Sequence, residues 1–177
     1  LKDAKTVLEL PTDRPRPAVQ TFRGEAVPFR LPPDQTAAVR QLAAAMGATP
    51  TMVMMAALYA LLHRYTGQTD LLIGLPHAGR DRAELEGVIG FFVNTLVIRC
   101  NLADEPSFRQ IVAQVRAAAL EAADHAALPF SRLVQAVAPQ RDLRRTPLVQ
   151  VMFAPQIKDR AGLQLPGVAV EPLAFDR

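Results

Sequence analysis

The chain has 177 residues, half of them apolar, with 20 basic and 17 acidic side chains, three histidines and one cysteine. That composition supports one sizeable core and excludes an intrinsically disordered chain. The net charge of +3 is carried almost wholly by arginine, and there is neither a nucleic-acid motif nor an aromatic stacking pattern, which argues against a nucleic-acid reader.

Residues 1–20 hold Pro11, Pro15 and Pro17 among alternating charges and read as an extended connector. Thr21 to Leu31 is expected to be a strand with Val27, Phe29 and Leu31 on one face, and Pro28 marks an edge or an irregularity in it. Asp34 to Met46 spaces Val39, Leu42, Ala43 and Met46 along one helical stripe and ends at Gly47. Thr49 then caps a second helix, with Pro50 at its first position. It runs to Gly67 and is apolar nearly all round, so burial is expected.

Asp70 to Leu75 is a continuous apolar run of the kind found in interior strands, closed by Pro76. A polar loop leads to a second interior strand, Phe91 to Leu102. Pro106 to Asp124 is an amphipathic helix with Phe108, Ile111, Val112, Val115, Ala119 and Ala122 turned inward, and Phe130 to Val137 is a shorter one. Leu148 to Ala154 and Val168 to Phe175 alternate as strands. Strands and helices interspersed in this way define an α/β lobe, a mixed sheet packed with helices.

Cys100 excludes an internal disulfide and reads as a packed thiol at a strand end, and the separated His63, His77 and His125 offer no metal-ligand spacing. No run approaches the roughly 18 to 20 apolar residues of a membrane helix, and Leu1-Lys2-Asp3 is unlike a secretory signal. A cytoplasmic location without membrane contact is therefore expected. The basic clusters Arg14/Arg16, Arg80/Arg82 and Arg141/Arg144/Arg145 each have a carboxylate nearby and read as solvated or ion-paired surface.

One residue stands apart. In Ile89-Gly90-Phe91-Phe92-Val93-Asn94-Thr95, strand alternation puts Asn94 on a face with Phe92, Leu96 and Ile98. A buried amide costs a few kcal/mol unless its hydrogen bonds are met, so Asn94 requires fixed polar partners. It either ties a neighbouring loop to the sheet or serves a reaction there.

Five ordered blocks bear on that choice: Leu10 to Pro17; Arg64 to Gln68 through Gly79-Arg80-Asp81-Arg82 and Glu84 to Gly87 to Asn94-Thr95; Leu128-Pro129-Phe130; Arg141-Asp142-Leu143; and Thr146 to Gln150. Together they resemble the condensation domains of nonribosomal peptide synthetases. The resemblance implies a chloramphenicol acetyltransferase-like lobe in a domain that forms amide bonds between carrier-bound acyl or peptidyl and aminoacyl thioesters. The substrates ride on 4'-phosphopantetheine of donor and acceptor peptidyl carrier proteins, with an adenylation domain adjacent, and no cofactor is bound directly.

The family's His-His-x-x-x-Asp-Gly motif is absent, which the resemblance explains by placing it in the first lobe. Residues 1–20 would be the inter-lobe connector and 21–177 the second lobe, cut before its remaining strands, so this chain alone is expected to be inactive. Arg16, or alternatively Arg14, would pair with the motif aspartate. Asn94 would lie near the tunnel, Gly90 would permit close backbone approach, and Arg80 would anchor the loop leading there.

His77 stands where the family has a valine-like residue, and Ala126-Ala127 departs from its polar pattern after His125. Neither histidine receives a catalytic assignment. A noncatalytic condensation-like domain recruiting a carrier protein or tailoring enzyme is the alternative. An epimerisation domain is another, disfavoured by the form of Gly90 to Thr95.

Overall fold

The computed structural model describes residues 1–21, 23–137, 142–156 and 167–170. In chain order these form α1 (Pro33–Ala45), α2 (Pro50–Thr66), β1 (Asp70–His77), a short 3-10 turn at Ala83–Leu85, β2 (Asn94–Asn101), α3 (Phe108–Asp124) and α4 (Phe130–Val137). The ends follow local chemistry. Pro33 and Pro50 occupy first-turn positions where a missing N–H costs nothing, and the Met52 N–H donates to Thr49 Oγ1 at 3.2 Å.

Gly67 ends α2 at φ +68°, with its N–H bonded to His63 O at 2.8 Å. Ser107 and Gln110 close a reciprocal cap on α3, satisfying donors that the first turn leaves unpaired.

β1 and β2 pair antiparallel, Asp70 opposite Asn101 and His77 opposite Asn94. Alternation divides their side chains between two cores. Leu71, Ile73, Leu96, Ile98 and Cys100 meet α2 and α3 in the larger one, together with Tyr59, Leu62, Ile111, Val112 and Val115. Leu72 and Val97 point the other way, toward Leu148, Val149 and the apolar face of α4. The buried Tyr59 hydroxyl donates to Ile98 O at 2.6 Å, so its polar end is satisfied inside the larger core.

Several expectations are corrected. Residues 23–31 form no strand, and Val27 and Phe29 are 82% and 85% exposed. Pro28, Pro32 and Pro33 remove backbone donors, and no described strand lies alongside to complete a ladder. α2 is not buried all round: Met54, Leu61 and Tyr65 lie on an exposed stripe. Phe108, expected to face inward, is 38% exposed.

β1 continues through Pro76 to His77, whereas β2 begins three residues later than Phe91. Among the described residues, Leu148 to Ala154 contributes only a parallel bridge, with the Gly74 N–H donating to Val151 O and the Phe153 N–H to Gly74 O. Leu148 at φ +60° turns the chain just before it. Of the strand expected over 168–175, residues 171–175 lie outside the described residues, as does Arg141.

The first ten residues are laced onto the lobe by side chains reaching their backbone. The N–H groups of Lys5, Leu8 and Glu9 donate to Asp70, Gln150 and Gln68, while Gln68, Gln150 and Arg145 donate back to Val7, Thr6 and Leu8 carbonyls. Leu8 is buried in the larger core. This side-chain lacing does the work of a ladder without a neighbouring strand.

Candidate functional site

Asn94 opens β2, and its amide is fully engaged by protein backbone. Nδ2 donates to Ala126 O at 2.9 Å and Leu128 O at 2.8 Å, and Oδ1 accepts the Phe130 N–H at 3.0 Å. Phe130 is the first residue of α4, so this N–H is one the helix cannot satisfy itself. Asn94 therefore caps α4 from a different element and fixes the turn between α3 and α4. Two carbonyls and one N–H demand two donors and one acceptor from a single short group, which an amide supplies and a carboxylate does not.

The segment from Ala78 to Val93 is organised by Arg80. Its guanidinium donates to Leu85 O and to Gly90 O, the latter at 3.4 Å, and stacks over the Phe92 ring at 4.6 Å from the centroid. Gly79 at φ +65° lets the Phe92 carbonyl approach where a Cβ would stand. A Cβ on Gly90 would lie 3.1 Å from Phe92 Cε2. Arg80, Gly90 and Phe92 thus form one cluster that delivers the chain to Asn94.

The cluster also explains why β2 starts late. Phe92 is held across the loop by Arg80 and Gly79, so it does not extend the strand, and Ile89 and Phe91 are 101% and 89% exposed instead of joining the core. Phe92 and Gly79 were not legible as site residues, because a ring under a guanidinium twelve positions earlier leaves no pattern in sequence.

Arg14 and Arg16 lie on exposed extended chain. Among the described residues neither guanidinium has a hydrogen-bond or ion-pair partner, and nothing brings them against Asn94. His125 Nδ1 faces Glu121 O of its own helix at 2.9 Å. His77 Nε2 faces Asp81.

On the opposite sheet face, Arg99 holds Asp70 with two bonds of 2.7 and 3.0 Å and donates to Lys2 O. Burial pushes the Asp70 carboxyl up, but the Arg99 bonds and the Lys5 N–H outweigh it and hold the group below the ordinary carboxylate value. Burial pushes the Cys100 thiol up to about 11, so at neutral pH it is protonated and a poor nucleophile.

A groove of about 790 Å3 runs beside β2 between α3 and α4, lined by Thr95, Arg99, Gln114, Glu121, His125 and Leu128 among others. It does not include Arg80, Gly90 or Asn94. Among the described residues no group of three or more His, Cys, Asp or Glu side chains could hold a metal ion, and no single helix is long and apolar enough to cross a membrane.

The lobe, an α/β arrangement of helices packed on a small antiparallel sheet, has the chloramphenicol acetyltransferase-like fold. Residues 1–162 match the condensation domain family, and the chain belongs to that family. Over 176 residues it is 44% identical to malpinin synthetase of Mortierella alpina, covering 99% of this chain and 2% of that protein.

Among solved structures, a four-domain nonribosomal peptide synthetase bound to AMP and glycine matches with a TM-score of 0.82 and 33% identity, over 85% of this chain and 12% of that one. The X-domain from teicoplanin biosynthesis, alone and in complex with OxyB, matches with a TM-score of 0.77 and 36% identity, over 85% of this chain and 33% of the X-domain chain. This chain thus spans a small part of the proteins it resembles.

Proposed function

We propose that the chain is the second lobe of a condensation domain that joins a carrier-bound acyl or peptidyl thioester to a carrier-bound aminoacyl thioester within a nonribosomal peptide synthetase. The observation that carries this reading is the family match across residues 1–162, with a synthetase relative at 44% identity. Amide formation needs an unprotonated amine, an aligned thioester carbonyl and stabilisation of the oxyanion. This chain would contribute the alignment, and the histidine motif would come from a first lobe.

In that reading Asn94 is a positioning residue near the tunnel, Arg80 and Gly90 shape the loop beside it, and Arg16, or Arg14, pairs with the motif aspartate. Among the described residues Arg14 and Arg16 have no hydrogen-bond or ion-pair partner, which leaves such a pairing open to a partner lobe. Partners are the donor and acceptor carrier proteins, which bring the substrates on phosphopantetheine, and a neighbouring adenylation domain. The product class is a peptide secondary metabolite.

The test is to supply the full-length protein with donor and acceptor carrier proteins loaded with thioesters and to follow the new amide by mass spectrometry. Amide product is expected from the whole protein and none from residues 1–177 alone. A full-length protein lacking an His-His-x-x-x-Asp-Gly motif, or making no amide with any loaded pair, would overturn the catalytic reading.

The likeness to the X-domain favours a second reading, a noncatalytic domain that recruits a tailoring enzyme. Capture of a tailoring oxygenase by a full-length protein that makes no amide would establish it.

A further inference from the structure

Among the described residues β2 is paired along one edge, with β1. In an antiparallel pair, residues directly opposite one another are either both bonded across the ladder or both turned away from it. Gly74 donates its N–H to Val151 O and accepts the Phe153 N–H on the far side of β1, so Val97, opposite Gly74, turns its own backbone groups outward. Alternation turns Thr95, Arg99 and Asn101 the same way. The Asn101 N–H donates at 3.1 Å to Gln114 Oε1 of α3, which closes that end of the edge.

Among the described residues the backbone groups of Thr95, Val97 and Arg99 have no hydrogen-bond partner, although Val97 is only 8% exposed. An edge of this kind pairs with another segment or is covered by one. The groove of about 790 Å3 between α3 and α4 runs along these three residues, so there is room beside the edge for that segment.

Leu1 indicates which segment it is. Leu1 lines the groove and packs with Ala4 against Leu72, Val97, Leu148 and Val149. Lys2 O accepts from Arg99 Nη1 at 3.2 Å. Asp3 at φ +62° and the bond from the Ala4 N–H to Leu1 O turn the chain here, away from the lacing at Lys5, Leu8 and Glu9 and into the groove.

We propose that the residues preceding Leu1 in the full-length protein occupy this groove and cover the outer edge of β2, so that the junction with a first lobe is built against the Asn94 site. Thr95 follows Asn94, and Leu128, whose carbonyl accepts from Asn94 Nδ2, lines the groove. The occupant therefore touches the turn that Asn94 fixes and sets the upstream lobe in register with it. The α4 wall carries Leu133 and Val137 and the α3 wall Ala118 and Ala122, so the occupant presents apolar side chains to both helices.

The occupant's identity rests on the reading that a first lobe precedes residue 1, and the experiment separates the two. In the full-length protein, p-benzoylphenylalanine replaces Glu121 on α3 or, separately, Val137 on α4, and photocrosslinked peptides are identified by mass spectrometry. Crosslinks to residues immediately upstream of Leu1 are expected. Crosslinks only to residues beyond 177, to a second copy or to another protein overturn the proposal, as does the absence of any crosslink outside 1–177.

Hydrogen exchange gives a second readout. In the full-length protein the Thr95, Val97 and Arg99 amides should exchange at least about tenfold more slowly than exposed amides, and Ala118→Trp, which fills the groove, should remove that protection. Unprotected amides in the wild type overturn the proposal. Exchange across α2 shows whether the variant is folded, and if it is not, the crosslinks from Glu121 decide. Amide formation assayed on the same proteins distinguishes the failures: crosslinks without amide product defeat the catalytic reading and leave the groove assignment, whereas amide product without crosslinks defeats the groove assignment alone.

Discussion

At the scale of single residues, Asn94 shows how one amide can serve three backbone groups at once. Removing it in Asn94→Ala leaves the Phe130 N–H and the Ala126 and Leu128 carbonyls without their partner, and a stability loss of about 1–3 kcal/mol is expected. Asn94→Asp should cost at least as much above the titration of the carboxylate, because it turns two attractive contacts into repulsions of oxygen against oxygen. Denaturant unfolding of the two variants measures the first effect and ranks the second. In the full-length protein both should slow amide formation, and an unchanged rate in a folded variant would confine Asn94 to a structural role.

Asp70 offers a residue-level prediction with a definite sign. Its folded carboxyl lies below the value of about 3.9 expected in an unfolded chain, so the Arg99 pair stabilises the fold above that pH. The contribution disappears as pH falls through the lowered folded value. The stability gap between wild type and Asp70→Asn, followed by urea unfolding, should be widest near neutrality and narrow on acidification. A gap independent of pH would sink this account.

At the scale of elements, the helices were legible because their signals are local. Thr49 with Pro50 and Gly67 after α2 set helix ends within a few residues of sequence, and Phe130–Val137 is helical as expected, while the Ser107–Gln110 cap shows only in the structure. Thr49→Ala should cost about 1 kcal/mol by releasing the Met52 N–H, read from thermal or denaturant unfolding. Strands fared worse: their backbone groups need partners far along the chain. The run 23–31 has suitable alternation but no ladder, and Leu148 to Ala154 contributes one bridge.

That bridge depends on Gly74. A Cβ there would stand 2.7 Å from Val149 Cγ1 and collide with the Met152 sulfur, so two chains approach as closely as only glycine permits. Gly74→Ala should destabilise the fold by about 1–3 kcal/mol, the usual cost of overpacking, and an unfolding curve superposable on the wild type would refute the close approach.

At the scale of the whole molecule, apolar exposure is concentrated in places that the lobe does not cover itself. Val27, Phe29, Ile89 and Phe91 are each more than four-fifths exposed, and the stripe of Met54, Leu61 and Tyr65 on α2 adds to them. Exposed apolar surface of this kind drives association. Residues 1–177 prepared alone should therefore self-associate in sedimentation velocity, and Ile89→Lys with Phe91→Ser should shift the distribution toward monomer. A strictly monomeric wild-type chain would contradict this.

The sequence by itself determined the class of fold, the helices with the Thr49 cap and the Gly67 stop, the family, and the demand of Asn94 for polar partners, because propensity, capping and motif order are properties of short segments. It did not reveal which atoms answer that demand. Only the tertiary structure joined Asn94 to Ala126, Leu128 and Phe130, placed Phe92 beneath Arg80, set His77 against Asp81 beside Asn94, and left residues 23–31 without a ladder. Hydrogen bonds and stacking between distant residues are fixed by packing geometry, and the period of a sequence carries no record of which distant partner a side chain meets.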